Sequence, residues 1–128
     1  MSDASLSILY VDDDPDIRTI VDMSLRLDPD IDLRMTASGE EALALVDGSD
    51  WQPDLILLDV MMPGLTGPET LVELRRRERL ATVPAVFMTA RGRPMEVSEY
   101  AELGAAGTIL KPFDPLILAT QIRTLIVK

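Results

Sequence analysis

Five times along this chain, a short apolar run, near-continuous in several cases, is followed by a longer segment with apolar residues at helical spacing. The runs are Ser7–Val11, Asp32–Met35, Leu55–Leu58, Ala85–Met88 and Gly107–Leu110. Strands this apolar need cover on both faces, which parallel strands joined by crossover helices provide. The alternation therefore predicts an α/β fold: a (βα)₅, doubly wound arrangement with a five-stranded parallel sheet between two helical layers.

The helical segments carry their own start and stop signals. Asp14-Pro15 sets a capping carboxylate before a proline suited to the first helical position, and Asp28-Pro29 is expected to stop that helix. Ser38-Gly39-Glu40-Glu41 and Thr66-Gly67-Pro68-Glu69 both read as capping boxes. Pro94 opens a fourth helix that Gly104 closes as a C′ glycine, and Asp114-Pro115 repeats the cap-plus-proline device. There is no linker, no low-complexity stretch and no repeat beyond the βα rhythm.

Composition narrows the function classes. The chain has no cysteine and no histidine, so thiolate and imidazole chemistry are excluded. Its net charge of −10 disfavours direct nucleic-acid binding and favours a divalent cation. Met1-Ser2-Asp3-Ala4 lacks the features of a secretory signal, and no apolar run approaches the ~18 residues of a membrane span. A cytoplasmic location without membrane attachment is expected.

In open α/β sheets, ligands bind beyond the carboxyl ends of the strands. The first strand ends in Asp12-Asp13-Asp14, the third in Asp59, the fourth in Thr89 and the fifth in Lys111; the second ends in Thr36, which adds nothing distinctive. Converging carboxylates at Asp12, Asp13 and Asp59 would repel one another without a hard, oxygen-loving cation such as Mg²⁺. A carboxylate can also act as a nucleophile and form an aspartyl phosphate. Lys111 and Thr89 would then match the charge spreading over the phosphoryl oxygens. Singly, each residue has an ordinary explanation, and Asp14 is read as a cap alone. Together, in strand order, they form a site.

Val11-Asp12-Asp13, Leu57 to Gly64 (LLDVMMPG), Met88-Thr89-Ala90 and Lys111-Pro112-Phe113 resemble the receiver domains of bacterial response regulators. The resemblance covers about Leu6 to Ile126, so residues 1–128 are expected to form one such domain, flavodoxin-like with strand order 2-1-3-4-5. It implies that Asp59 accepts a phosphoryl group from a phosphohistidine on a sensor histidine kinase or a phosphotransfer protein. It implies Mg²⁺, or Mn²⁺, held by Asp13, Asp59 and the backbone carbonyl of Met61, with Asp12 close by or acting through water. Thr89 and Lys111 would meet the phosphoryl oxygens, and Lys111-Pro112 would be a cis peptide. Such a chain is a signalling switch rather than an enzyme, beyond promoting its own phosphorylation and dephosphorylation. A downstream protein, or a second copy, would meet the face formed by the fourth helix, fifth strand and fifth helix.

Thr108 departs from the family pattern, because receivers commonly carry Tyr or Phe three residues before the lysine. Arg91, two residues past Thr89, flanks the expected phosphate position and reads as a solvated loop charge. The cluster Arg75-Arg76-Arg77-Glu78-Arg79 reads as a solvent-facing end to the third helix. Met61, Met62 and Met95 raise the idea of an adaptable surface, although a loop and core role fits the first two better. Leu116, Ile117 and Leu118 are consecutive, so one or more of them must face outward. Among rivals, a flavin carrier would need a glycine- and hydroxyl-rich loop where Asp12-Asp13-Asp14 stands. A phosphatase of the haloacid dehalogenase type is met formally by the Asp-x-Asp spacing there, but such enzymes are longer. A degenerate receiver acting only as an interaction module would not need the full acidic pair with Asp59, Thr89 and Lys111.

Overall fold

A computed structural model describes residues 5–90 and 94–126, with the backbone alone at 94–97; Arg91 and the side chain of Met95 lie outside the described set. The order is β1 (Leu6–Val11), α1 (Pro15–Leu25), β2 (Ile31–Thr36), α2 (Gly39–Asp47), β3 (Leu55–Asp59), α3 (Gly67–Arg75), β4 (Ala85–Thr89), α4 (Pro94–Glu102), β5 (Ala105–Leu110) and α5 (Leu118–Ile126). A short 3₁₀ turn, Glu78–Leu80, joins α3 to β4. All neighbouring strands pair in parallel, in the order β2-β1-β3-β4-β5. Every expected strand is present, extended by one or two residues.

The period of two along each strand sorts the core into two layers. Leu9, Val11, Ile56, Leu58 and Phe87 face Ala42 and Val46 of α2, Leu71 and Leu74 of α3, and Tyr100 of α4. Ile8, Tyr10, Leu55, Leu57, Val86, Met88 and Ile109 face Val21 and Leu25 of α1, and Leu118 and Ile122 of α5. β3 and β4 are buried along their whole length, which explains their unbroken apolar runs.

Several caps form as expected. Asp14 Oδ1 accepts from the N–H groups of Asp16 and Ile17, and Thr66 and Glu69 make the reciprocal capping box. Gly104 takes φ +87°, as a C′ glycine does. Three boundaries differ. α1 stops at Leu25, because the N–H groups of Leu27 and Asp28 bond three residues back, to Ser24 and Leu25, and tighten the last turn before Pro29 is reached. At α2, Ser38 caps Glu41, but the Glu41 carboxylate reaches the Ala37 N–H, so the box is open. α5 begins at Leu118 rather than beside Pro115, whose carbonyl is taken by the Ser24 hydroxyl; Asp114 instead caps the turn through the Leu116 N–H. Leu118 is buried, while Leu116 and Ile117 face outward.

The arginine cluster also differs from expectation. Arg75 turns inward and donates to the carbonyls of Leu80, Val83 and Gly104, lashing α3 to the entry of β4 and the α4–β5 turn. Arg79 donates to the carbonyls of Val46, Ser49 and Trp51, and Arg77 pairs with Asp47 at 2.7 Å. Carbonyls left without helical partners at the end of α2 and in the α3–β4 loop attract these guanidinium groups.

Gly67 lets α3 close onto the strand that carries Asp59. Its N–H donates to the Val60 carbonyl at 2.9 Å, and a Cβ there would lie 2.2 Å from the Asp59 carbonyl oxygen and 3.0 Å from Val60 Cα. Near a helix start, Gly→Ala would ordinarily be neutral or mildly favourable. Here both neighbours are backbone, so Gly67→Ala is expected to cost about 1–3 kcal/mol, the usual range for overpacking, measured as a fall in the urea midpoint at constant m-value.

Candidate functional site

The strand ends bring Asp12, Asp13, Asp59, Met61, Thr89 and Lys111 to one cleft of about 270 Å³, bordered also by Asp14, Val60 and Ala90. Each arrives for a local reason. Asp12 follows β1, and its N–H is held by the Thr36 carbonyl of β2 at 3.2 Å. Asp59 is the last residue of β3, and the next N–H, of Val60, bonds to Met88 of β4 at 3.1 Å. Lys111 follows β5, its N–H donating to the Thr89 carbonyl at 2.8 Å; its bond to Pro112 is cis.

The side chains form a short chain of charge. Lys111 Nζ donates to Asp59 Oδ1 at 2.8 Å and to Asp12 Oδ2 at 3.4 Å. Asp12 is fully buried; its Oδ1 accepts from the Asp14 N–H at 3.0 Å, and its carbonyl accepts from Arg18 Nη1 at 2.7 Å. The Tyr10 hydroxyl donates to Asp12 Oδ2 at 2.6 Å. Asp59 Oδ2 carries no bond from the described residues, and Asp13 is exposed at the cleft mouth. Thr89 is buried with its side chain bordering the same cleft.

Burial raises the pKa of Asp59; the Lys111 bond opposes that, and Asp12 and Asp13 add to it. For Lys111, burial alone would lower the value, but Asp59 and Asp12 together hold it above the ordinary one, so it is a fixed cation. Burial, reinforced by the bond to Asp12, pushes the Tyr10 phenol well up, so it stays a neutral donor.

The donor set suits a small hard cation. Carboxylate oxygens of Asp12, Asp13 and Asp59 lie within 4.8 Å of one another. An ion with ligands at about 2.1 Å spans about 4.2 Å between opposite donors, so this spread fits a mixture of direct and water-carried contacts. One ammonium among these carboxylates also leaves negative charge for such an ion to offset.

All six expected site residues thus border one cleft; Arg91, read as a solvated loop charge, lies outside the described set. Tyr10 escaped the sequence reading. The usable signal was parity, since Tyr10 and Asp12 are two apart at the end of β1 and share a face.

Comparison with known proteins agrees with this geometry. The response regulator receiver domain family matches residues 8–123, and the chain belongs to that family. The transcriptional regulatory protein AfsQ1 of Streptomyces coelicolor is 36% identical over 94% of this chain and 51% of its own length. The transcriptional regulatory protein CpxR of Klebsiella pneumoniae is 38% identical over 93% of this chain and 48% of its own. The chain thus spans about half the length of these relatives. The chemotaxis protein CheY4 of Vibrio cholerae superimposes with a TM-score of 0.85 at 30% identity, covering 95% of this chain and 99% of that one. By class the chain is a receiver domain of phosphorylation-based signalling. No helix among the described residues is long and apolar enough to cross a membrane.

The raised Asp59 pKa has a stability consequence. Its ionisation weakens the fold: the penalty is absent below the unfolded value of 3.8, grows as pH rises through the higher folded value, and is constant above it. Asp59→Asn in EDTA is therefore expected to raise the unfolding midpoint at pH 7. Scanning calorimetry should show that gain vanish as the pH is lowered into the acid range.

Proposed function

We propose that this chain is a Mg²⁺-dependent phospho-acceptor switch in which Asp59 takes a phosphoryl group from a phosphohistidine on a sensor histidine kinase or a phosphotransfer protein. The observation that carries the proposal is the bonded set Asp12–Lys111–Asp59 at adjoining strand ends, with Asp13 beside it. In the transfer, an Asp59 carboxylate oxygen attacks phosphorus, the phosphorus–nitrogen bond to the donor imidazole breaks, and the donor departs with that electron pair. Asp59 needs no deprotonation, since its carboxylate is the nucleophile. Lys111 is already within bonding distance of Asp59 Oδ1 and carries its charge to the incoming phosphoryl oxygens. Thr89, at the end of β4, offers its hydroxyl to another of those oxygens. Asp13, Asp59 and the Met61 carbonyl would hold Mg²⁺, or Mn²⁺, with Asp12 directly or through water; the ion offsets charge on the phosphoryl oxygens.

Phosphorylation would shift an existing equilibrium between two conformations and so alter the face made by α4, β5 and α5, where a target protein or a second copy docks. Leu110, Leu116 and Ile117 supply exposed apolar contacts there. The charge of −10 supports output through protein rather than direct nucleic-acid contact by these residues.

Incubation with acetyl phosphate and Mg²⁺, followed by intact-mass measurement, is expected to show the gain of one phosphoryl group. Asp59→Asn and omission of divalent ion should each abolish the gain, and Lys111→Ala should slow it about 100-fold. Phosphorylation that persists in Asp59→Asn would sink the proposal.

A further inference from the structure

Among the described residues, Tyr10 is the one buried titratable side chain in contact with the site that the proposed transfer does not use. We propose that Tyr10 is a positioning residue for the divalent-cation site, its hydroxyl fixing the Asp12 carboxylate in the orientation that metal binding requires. The inference rests on the proposed cation site.

A carboxylate offers about four lone-pair positions. On Asp12, the Tyr10 hydroxyl at 2.6 Å and Lys111 Nζ at 3.4 Å occupy Oδ2, and the Asp14 N–H at 3.0 Å occupies Oδ1. The Tyr10 contact is the shortest of these, and Tyr10 is the more fully buried of the two side-chain donors. Its side chain is fully buried in the layer with Leu57, Met88, Val21 and Ile109, and it sits two residues before Asp12, which directly follows β1. Lys111, in contrast, is shared with Asp59. Without the phenol, Asp12 Oδ2 would keep only this shared, longer contact, and the carboxylate would be held less tightly, by it and by the Asp14 N–H on Oδ1.

Two effects oppose each other. A neutral donor draws some charge from the carboxylate, which weakens a metal bond; it also pre-orders the ligand, which strengthens one. Loss of such outer partners generally weakens metal binding by about 10–100-fold, so ordering dominates. The ordinary alternative is a core tyrosine whose hydroxyl merely needs an acceptor. That alternative predicts an effect on stability and none on metal affinity.

Mn²⁺ titration by calorimetry on the unphosphorylated chain separates them, with no phosphodonor present. Tyr10→Phe keeps the ring and is expected to raise the Mn²⁺ dissociation constant about tenfold. A dissociation constant within twofold of the parent's would overturn the inference and leave the cation site standing, even if urea unfolding in EDTA showed a loss of stability. A parent chain that binds no Mn²⁺ would overturn both. A second measurement keeps the Tyr10 hydroxyl in place. In Tyr100→Phe, where Tyr10 is the sole tyrosine, added Mg²⁺ is expected to produce a tyrosine ultraviolet difference band, because the phenol's acceptor changes its charge environment. Absence of that band at saturating Mg²⁺ would count against any coupling of Tyr10 to the site.

Discussion

Two carboxylates at the ends of neighbouring buried strands repel each other and lose hydration, and the fold holds them together by delivering one cation to both. Lys111 performs that role through contacts of 2.8 Å to Asp59 and 3.4 Å to Asp12. Its position depends on β5 running to the same edge as β3 and β4, and on its own N–H being tied to Thr89. β3 in turn depends on α3, which Gly67 brings against the Asp59 carbonyl. The compensation is incomplete, since Asp13 adds a further negative charge at the cleft mouth. That surplus of negative charge is what the proposed small cation would offset.

Much of the fold and most of the candidate site were legible in the sequence, for a specific reason. β3 and β4 are buried on both faces, so their sequences could only be apolar until the last residue, where Asp59 and Thr89 stand out. Pro15 beside Asp14 marked a helix start equally plainly. The misses share a cause too, which is tertiary contact with a distant partner. The Ser24–Pro115 bond delays α5, carbonyls of other elements draw Arg75 inward, and others tie down the exposed Arg79. Tyr10 looks like another core residue of β1, and only its partner gives it a polar role.

Thr108 shows where family pattern and local packing part. It is half-buried in β5, opposite Phe87 of β4. The aromatic bulk of this layer comes instead from Phe87 and from Tyr100 of α4, whose ring centroids are 4.8 Å apart at a tilt of 45°. A large ring therefore connects α4 to the strand that ends in Thr89, although none projects from β5 at this level. The flavin-carrier reading, which shares this fold, fares less well on geometry. A flavin carrier needs a phosphate loop after β1, yet that turn presents Asp12 buried and Asp13 and Asp14 exposed.

The alternation that sorted the core has a final implication. Tyr10 and Asp59 share parity with the layer of α1 and α5, whereas Phe87 and Thr89 share parity with the layer of α2, α3 and α4. Along most of their length the strands act as an insulating wall, and a perturbation in one layer must cross backbone to reach the other. At the carboxyl edge the wall ends, and side chains from both layers border one small volume of solvent. A group seated there touches both halves of the molecule at once. The cleft is therefore a junction, joining the layer that holds Asp59 to the layer that holds α4.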